Sequence, residues 1–318
     1  MSEYLLHIGY HKTASTLLQK FVWPAIGSHA NYARHEPWVL DQFIKYGRFP
    51  SNPRALREKF AHKDNKVNIV SSEAILFNPY ERRGFEYENI WAASQAFPNA
   101  KVLVIFREQK SWIRSWYKHL VRSGSSIPPE ELIATETRPG FAPALNLECL
   151  KYDAVYNLLS EFFSHEQIIM LPFEWIVHKP RHFIDHLALR LGIDIDHNLL
   201  ADLPVQNPGY SASALGLARY VNQLLRHSER DFISKSAMET LRGKLIYRLN
   251  QYIPKSQARE AELSRTLSPK KDFFLESNQR LQKLLNINLK ALGYQVVPES
   301  EAEHTSDSIN SSVWQAHD

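Results

Sequence analysis

The chain has 318 residues, of which 44% are hydrophobic and 23% charged, with a net charge of +4 at pH 7. This composition is close to the globular average, so a packed core is expected, and the mild basic excess suits an anionic ligand but is too small to predict nucleic-acid binding. The single cysteine, Cys149, excludes an internal disulfide. An apolar run of about 18 residues, as a membrane-spanning helix needs, is missing.

The N-terminal residues lack a basic segment followed by a long apolar one, which a secretory signal requires. The sequence therefore predicts a soluble, cytoplasmic protein without an integral membrane segment.

Short apolar runs and helical patterns alternate along the first two thirds of the chain. Strands are predicted at 4–8, 67–71, 101–106 and 168–171. Helices are predicted at 15–22, 109–122 and 181–191, and then at 212–225, 237–249 and 273–292. Strands that are apolar throughout and alternate with helices indicate a parallel sheet covered on both faces.

The fold class expected is α/β, a P-loop-like parallel β-sheet flanked by helices on both faces, with additional C-terminal helices. Residues 1–297 are predicted to form a single domain, which residues 211–297 complete with helices. The proline-rich segment 123–146 is predicted to be a lid loop. Residues 298–318, rich in Ser, Glu, Asp and His, are predicted to be a disordered tail.

The loop after the first predicted strand has the composition of a phosphate site. Lys12 adds a positive charge, and hydroxyl donors follow at Thr13, Ser15 and Thr16. Backbone N–H groups at a strand–loop–helix junction bind anions, helped by the helix N-terminus. An ordinary N-cap would explain one hydroxyl but not this group. The loop is not a Walker A motif, because no second glycine precedes Lys12.

A second anion site is predicted after the strand at 101–106. Arg107 follows that strand, and Ser115 lies about two helical turns into the next helix, on a face that looks back toward the sheet. Arg107 can grip a phosphate with two hydrogen bonds, and Ser115 can donate a third. By itself this pair is a weak signal, which a solvated helix face would also explain.

Together the two loops resemble those of sulfotransferases that use 3′-phosphoadenosine-5′-phosphosulfate (PAPS). Lys12, Thr13, Ser15 and Thr16 match the 5′-phosphosulfate loop, and Ala14 replaces the family's glycine. In the 3′-phosphate motif Arg107, Ser115 and Tyr117 match in register, whereas Gln109 replaces the proline and Arg114 is offset by one place. The likeness extends over about residues 4–192, with a looser likeness to bacterial members around 276–278.

The resemblance implies PAPS as co-substrate, PAPS or the desulfated bisphosphate (PAP) as ligand, and no metal. It implies that Lys12 acts on the leaving group and that residues 13–17, through Thr13, Ala14, Ser15, Thr16 and Leu17, bind the 5′-phosphate. Ala14 leaves the loop intact if its φ angle is negative, and donor affinity is expected to suffer if that angle is positive.

An acceptor hydroxyl also needs a general base. Glu73 follows the second predicted strand, at the sheet edge that carries both phosphate sites, and it resembles the catalytic glutamate of glycan sulfotransferases. A glutamate in the first turn of a helix is the structural alternative. His11, beside Lys12, is the rival base.

The predicted function is thus sulfuryl transfer to a hydroxyl or amine of a glycan, glycolipid or small metabolite. Two alternatives stay open. A P-loop-like kinase would need ATP, Mg²⁺ and an acidic residue at a strand end, where this chain has Arg107. A non-catalytic PAPS-binding protein is favoured if Glu73 and His11 lie away from the donor.

Overall fold

The computed structural model describes residues 4–33, 66–77, 86–133, 145–200, 210–224 and 252–297, together with Arg54, Arg57, Glu58 and Arg248. Within these ranges the strands are β1 (Tyr4–Gly9), β2 (Ala30–Ala33), β3 (Val67–Ser71), β4 (Lys101–Phe106) and β5 (Ile168–Pro172). All neighbouring strands pair in parallel, in the order β2-β3-β1-β4-β5. The predicted parallel α/β sheet is therefore confirmed, with β2 as an additional strand.

The described helices connect and cover these strands. After β1 a continuous helical run consists of α1 (Ser15–Leu17), a π-helical segment (Leu18–Val22) and α2 (Trp23–Ala25). The others are α3 (Glu86–Ala96), α4 (Gln109–Arg122), α5 (Pro129–Leu132), α6 (Tyr152–Ser160), α7 (Phe173–His178), α8 (Pro180–Leu191), α9 (Ala212–Leu224), α10 (Gln257–Thr266) and α11 (Leu275–Leu285). Short 3₁₀ turns lie at Glu73–Ile75, Leu147–Leu150 and Lys290–Leu292.

Alternate residues of the strands pack in two separate hydrophobic cores, one on each face of the sheet. From β1, Leu6 and Ile8 pack in the core that includes α3, α4, α6 and α11, whereas Leu5 packs in the core that includes the helical run 15–25 and α8. The helix after β1 and the helix after β4 thus cover opposite faces, although the two strands are neighbours. Ligands of open α/β sheets bind where the chain reverses in this way, at the carboxyl ends of the strands.

One predicted helix is shorter in the structure than the sequence indicated. The helix expected over 273–292 begins at Leu275 and ends at Leu285, because Asn286 adopts a left-handed backbone conformation with φ 53°. Asparagine tolerates this conformation better than most residues and commonly ends helices there.

Several predictions fall partly or wholly outside the described residues. These are the helix at 237–249, apart from Arg248, and the tail at 298–318. Of the predicted lid, residues 123–133 and 145–146 are described; they include α5, whose Leu132 is buried, and the lid itself stays a prediction. No helix in the described part of the chain is long and apolar enough to cross a bilayer.

Candidate active site

Gly9 allows β1 to end tightly against β4. Its φ angle is 135°, and a Cβ atom there would lie 3.3 Å from Cγ1 of Val104. A side chain at this position would combine backbone strain with a close contact, so glycine is required. The loop that follows therefore starts directly over the carboxyl end of β4, where Gly9 pairs with Ile105.

The loop between β1 and α1 folds back on itself. Lys12 and Ala14 both have left-handed backbone conformations, with φ angles of 67° and 68°. The Thr13 hydroxyl donates to the carbonyl oxygen of Tyr10, and the amides of Leu17 and Leu18 donate to that of Ala14 at 2.8 and 3.1 Å. The hydrogen bond that the Thr13 hydroxyl donates thus stabilises the loop. Ala14, where the resemblance has glycine, keeps a conformation that favours glycine.

Arg107, directly after β4, and Trp112, in the first turn of α4, hold this loop in place. Trp112 donates its indole N–H to the His11 carbonyl at 2.6 Å, and Arg107 donates to the Lys12 carbonyl at 3.1 Å. Arg107 also donates to the Ser111 hydroxyl through Nε and Nη2, at 3.1 and 2.8 Å. The two loops that the sequence predicts as separate anion sites are therefore one connected unit.

Helix α4, which carries Ser111 and Trp112, is itself fixed at its N-terminus. The Glu108 carboxylate accepts from the amides of Lys110 and Ser111, at 3.0 and 2.7 Å, and so caps α4. The Glu108 amide donates to Glu174, whose second carboxylate oxygen accepts from Tyr294. These contacts anchor the start of α4 to Glu174 of α7 and, through it, to Tyr294.

A cavity of about 350 Å³ opens where the two loops meet. Three predicted site residues line it: Lys12, Arg107 and Ser115. The other lining residues are Ser111, Arg114, Lys118, His119, Arg122, Tyr210 and Glu260. Five of the ten lining side chains are Lys or Arg and only one is acidic, so the cavity suits an anionic ligand. Its volume lies within the range of small-molecule binding sites, about 300–1,000 Å³.

Most of the cations in the cavity have partners within the protein. Arg114 donates to the Ser264 hydroxyl at 2.8 Å, and Lys118 lies 3.1 Å from the Glu260 carboxylate. Burial lowers the pKa of Lys12, and the nearby charges of Arg122 and Arg107 lower it further. Lys12 and Arg122 both line the cavity, so their like charges repel each other.

Rings of the loop and of α4 pack beside Lys12. The His11 and Trp116 ring centroids are 5.9 Å apart, and those of Trp116 and His119 are 5.4 Å apart. Burial, followed by the charges of Lys12 and Arg122, lowers the pKa of His119 to about 3. His119 is therefore neutral at physiological pH and adds a hydrogen-bonding group to the cavity without adding charge.

Glu73 lies at the start of the 3₁₀ turn after β3 and is 8% exposed. Burial raises its pKa, but the nearby His11, a hydrogen bond from Ser15 and the nearby His7 outweigh this, and the net pKa lies below the ordinary value. The carboxylate is thus ionised at neutral pH and lies near the imidazole of His11. Gln19 donates to it at 3.4 Å.

The predicted residues thus fall into two adjoining groups. Lys12, Arg107 and Ser115 line the cavity, whereas Glu73 and His11 are outside its lining and interact with each other. Thr13 and Ser15 are buried and Thr16 is exposed. Sequence reasoning missed Arg122 and His119, although both continue the helix face of Ser115 at spacings of three to four residues.

Among the described residues, no group of three or more His, Cys, Asp or Glu side chains is arranged to hold a metal ion.

Comparison with known proteins finds similarity at the level of solved structures only. No family model and no curated protein matches the sequence. The chain is similar to a sulfotransferase from Alicyclobacillus acidocaldarius, with 14% identity and a TM-score of 0.45, over 72% of this chain and 98% of that one. It is also similar to mouse sulfotransferase SULT7A1 complexed with PAP, with 10% identity and a TM-score of 0.36, over 90% of this chain and 89% of that one.

A third similar structure is the sulfotransferase domain from the curacin biosynthetic pathway, with 13% identity and a TM-score of 0.36, over 80% of this chain and 99% of that domain. All three of these similar structures are sulfotransferases or a sulfotransferase domain.

Proposed function

We propose that this protein is a PAPS-dependent sulfotransferase. The observation that carries the proposal is the single cavity in which Lys12, after β1, meets Arg107 and Ser115, after β4. A ligand with two separated anionic groups, as in a nucleoside 3′,5′-bisphosphate, matches a cationic cavity lined from two loops. Charge-assisted hydrogen bonds from Arg and Lys are the strong contacts for such groups.

PAPS supplies the activated sulfuryl group. Arg107 and Ser115 would hold the 3′-phosphate, and the loop from Lys12 to Leu17 would hold the 5′-phosphate at the start of α1. Transfer to an acceptor hydroxyl forms a new S–O bond while the bond from sulfur to the bridging phosphate oxygen breaks. Negative charge then develops on that oxygen, and Lys12 would stabilise it.

The proton of the acceptor hydroxyl would go to Glu73 or His11. Glu73 is ionised because its pKa is lowered, so it is in the form that accepts a proton. Its interaction with His11 joins the two candidate bases into one unit, and either member can be the group that contacts the acceptor. The acceptor classes proposed are a glycan, a glycolipid and a small metabolite.

One observation favours a second candidate function, a PAPS-binding protein without transfer activity. Neither Glu73 nor His11 belongs to the lining of the cavity that holds Lys12. The kinase alternative has less support, since the residue after β4 is Arg107 rather than an acidic metal ligand.

Calorimetric titration with PAP in the absence of metal, beside ATP with Mg²⁺, tests the proposal. PAP is expected to bind, and Arg107→Ala is expected to weaken binding by about 10- to 100-fold, because it removes charge-assisted hydrogen bonds. Arg259→Ala, which removes an exposed arginine of α10 outside the cavity, is the matched control and should bind as the wild type does. Binding of ATP with Mg²⁺ but not of PAP would contradict the proposal.

A further inference from the structure

The cavity continues along α4 beyond the residues that the sequence motif contains. Ser111, Ser115 and Arg122 line it together, so it follows the helix from position 111 to position 122, a rise of about 16 Å at 1.5 Å per residue. A single phosphate spans much less than this. The cavity therefore has two ends, one at Arg107 and Ser111 and the other at Arg122.

The cations at the two ends differ in what they contact. At the first end Arg107 donates to Ser111 and to the Lys12 carbonyl, and its guanidinium lies 4.5 Å from the ring centroid of Phe173. In the middle, Arg114 and Lys118 are held by Ser264 and Glu260 of α10. At the far end neither Lys12 nor Arg122 has a hydrogen bond or ion pair from its side chain to another described residue.

Two like charges that share a partly buried site raise the free energy of the ligand-free protein, and an anion bound between them lowers it. Arg122 is exposed, Lys12 is half-buried and both line the cavity, so an oxyanion from solvent can reach both. His119, whose lowered pKa keeps the ring neutral, also lines the cavity and adds no negative charge that would compensate the two cations. This end of the cavity is thus organised for a tetrahedral oxyanion.

We propose that Arg122 is a binding residue of the active site, which together with Lys12 holds the phosphosulfate end of the donor. The identity of that oxyanion rests on the proposed function; the two-cation site itself does not. Arg122 would share with Lys12 the negative charge that the oxyanion brings, while Arg107 and Ser115 hold the other phosphate.

Titration of four proteins with PAP tests this role: the wild type, Arg122→Gln, Arg122→Lys and Arg259→Gln. Arg122→Gln is expected to weaken binding about 10- to 100-fold, since it removes a charge-assisted contact. Arg122→Lys keeps the charge, and Arg259→Gln removes an exposed charge outside the cavity; both should bind within about threefold of the wild type. An Arg122→Gln variant that binds PAP as tightly as the wild type would overturn the proposal.

Thermal unfolding with and without inorganic sulfate separates this proposal from the proposed function. Without sulfate, the Tm of Arg122→Gln should equal that of the wild type or exceed it by roughly 1–3 °C, because a repulsion is removed. Sulfate should raise the Tm of the wild type more than that of Arg122→Gln. If PAP binds to none of the proteins and sulfate still discriminates in this way, the sulfotransferase proposal fails and the oxyanion site stands. If sulfate raises the Tm of the wild type and of Arg122→Gln equally, and both bind PAP equally, the proposed two-cation site does not exist.

Discussion

Ala14 adopts a left-handed conformation, with φ 68° and ψ 15°, at the residue that precedes α1. A residue with a Cβ atom in this conformation is destabilised by roughly 1–2 kcal/mol, and glycine is not. From the sequence alone the sign of φ is open, and a positive angle predicts a cost in donor affinity. The structure gives the positive sign, so the loop contains strain that glycine would relieve.

Replacing Ala14 by glycine is therefore expected to stabilise the protein by about 0.5–1 kcal/mol and to leave PAP binding equal or tighter. Urea unfolding measures the stability. Ala261→Gly is the matched control, because Ala261 is exposed in the middle of α10 and glycine there should destabilise by up to about 1 kcal/mol. Destabilisation of similar size in both variants would mean that Ala14 does not need a positive φ angle.

Glu73→Gln keeps the shape of the side chain and removes its charge. PAP affinity is expected to change by less than about threefold, while turnover falls by about 10²- to 10⁴-fold, the usual contribution of a general base. Turnover is measured as release of PAP from PAPS in the presence of acceptor hydroxyls of several classes. Full activity of the variant would show that Glu73 is not the general base, and His11 would then be the remaining candidate.

Glu174→Gln is the matched control, because Glu73 and Glu174 are equally buried, at 8% exposure each. The Glu174 carboxylate binds the Glu108 amide and the Tyr294 hydroxyl, so its loss should lower stability more than turnover per folded molecule.

The pKa of Glu73 also predicts how stability depends on pH. The folded-state pKa is lowered, so the ionised carboxylate stabilises the fold above the unfolded-state pKa, and this contribution is lost as pH falls through the folded-state pKa. Chemical unfolding of the wild type and Glu73→Gln below about pH 4.5 should therefore show a smaller loss of stability on acidification in the variant. Parallel pH profiles of the two proteins would contradict this.

At the scale of elements, α4 is the helix that organises the site. Its capping residue Glu108 fixes the first turn, and side chains of the following turns line the cavity. Trp112 and Trp116 of the same helix are buried against the loop after β1. Gln109, where the resemblance has proline, is 2% exposed and donates to the Asn278 side chain of α11 at 2.6 Å. Asn278 in turn donates to the Gln295 carbonyl at 2.8 Å. A buried amide pair therefore couples the cavity helix to the C-terminal helix.

A double-mutant cycle on Gln109→Leu and Asn278→Leu should give a coupling energy of about 1–2 kcal/mol in urea unfolding. Each single variant leaves a buried polar partner without its hydrogen bond, and the double variant removes both partners. The exposed pair Arg54 and Glu58, 3.0 Å apart, is the control and should couple by less than about 0.5 kcal/mol. Additive effects of the Gln109 and Asn278 substitutions would show that the two helices are not coupled through this pair.

At the scale of the whole molecule, the two cores explain why the site lies at β1 and β4. The helices that follow the neighbouring strands β1 and β4 pack on opposite faces of the sheet. The loops that lead from these strands into the helices therefore diverge, and a crevice opens between them. The loop after β1 supplies Lys12, and the loop and helix after β4 supply Arg107 and Ser115. Tyr210 and Glu260 close the cavity from distant parts of the chain.

The strands that the sequence predicted well are those whose residues are buried on both faces. β3 and β4 have the predicted bounds, and β1 and β5 extend one residue further, because a continuous apolar run is a local signal. β2, with the sequence Ala-Asn-Tyr-Ala, has no such run and depends on pairing with β3. Likewise α10 is mostly exposed, so its sequence has little apolar periodicity to indicate a helix.

By itself the sequence determined the parallel α/β sheet and the positions of Lys12, Arg107 and Ser115, because apolar runs and the residues that follow them are local features. Only the tertiary structure decided that Arg122 and the neutral His119 line the same cavity as Lys12, and that Glu73 interacts with His11 outside that lining. These relations join residues far apart in the chain, and they depend on how α4 and the loop after β1 pack against each other. The electrostatics of the site follow from that packing, since distance and burial set the strength of each charge.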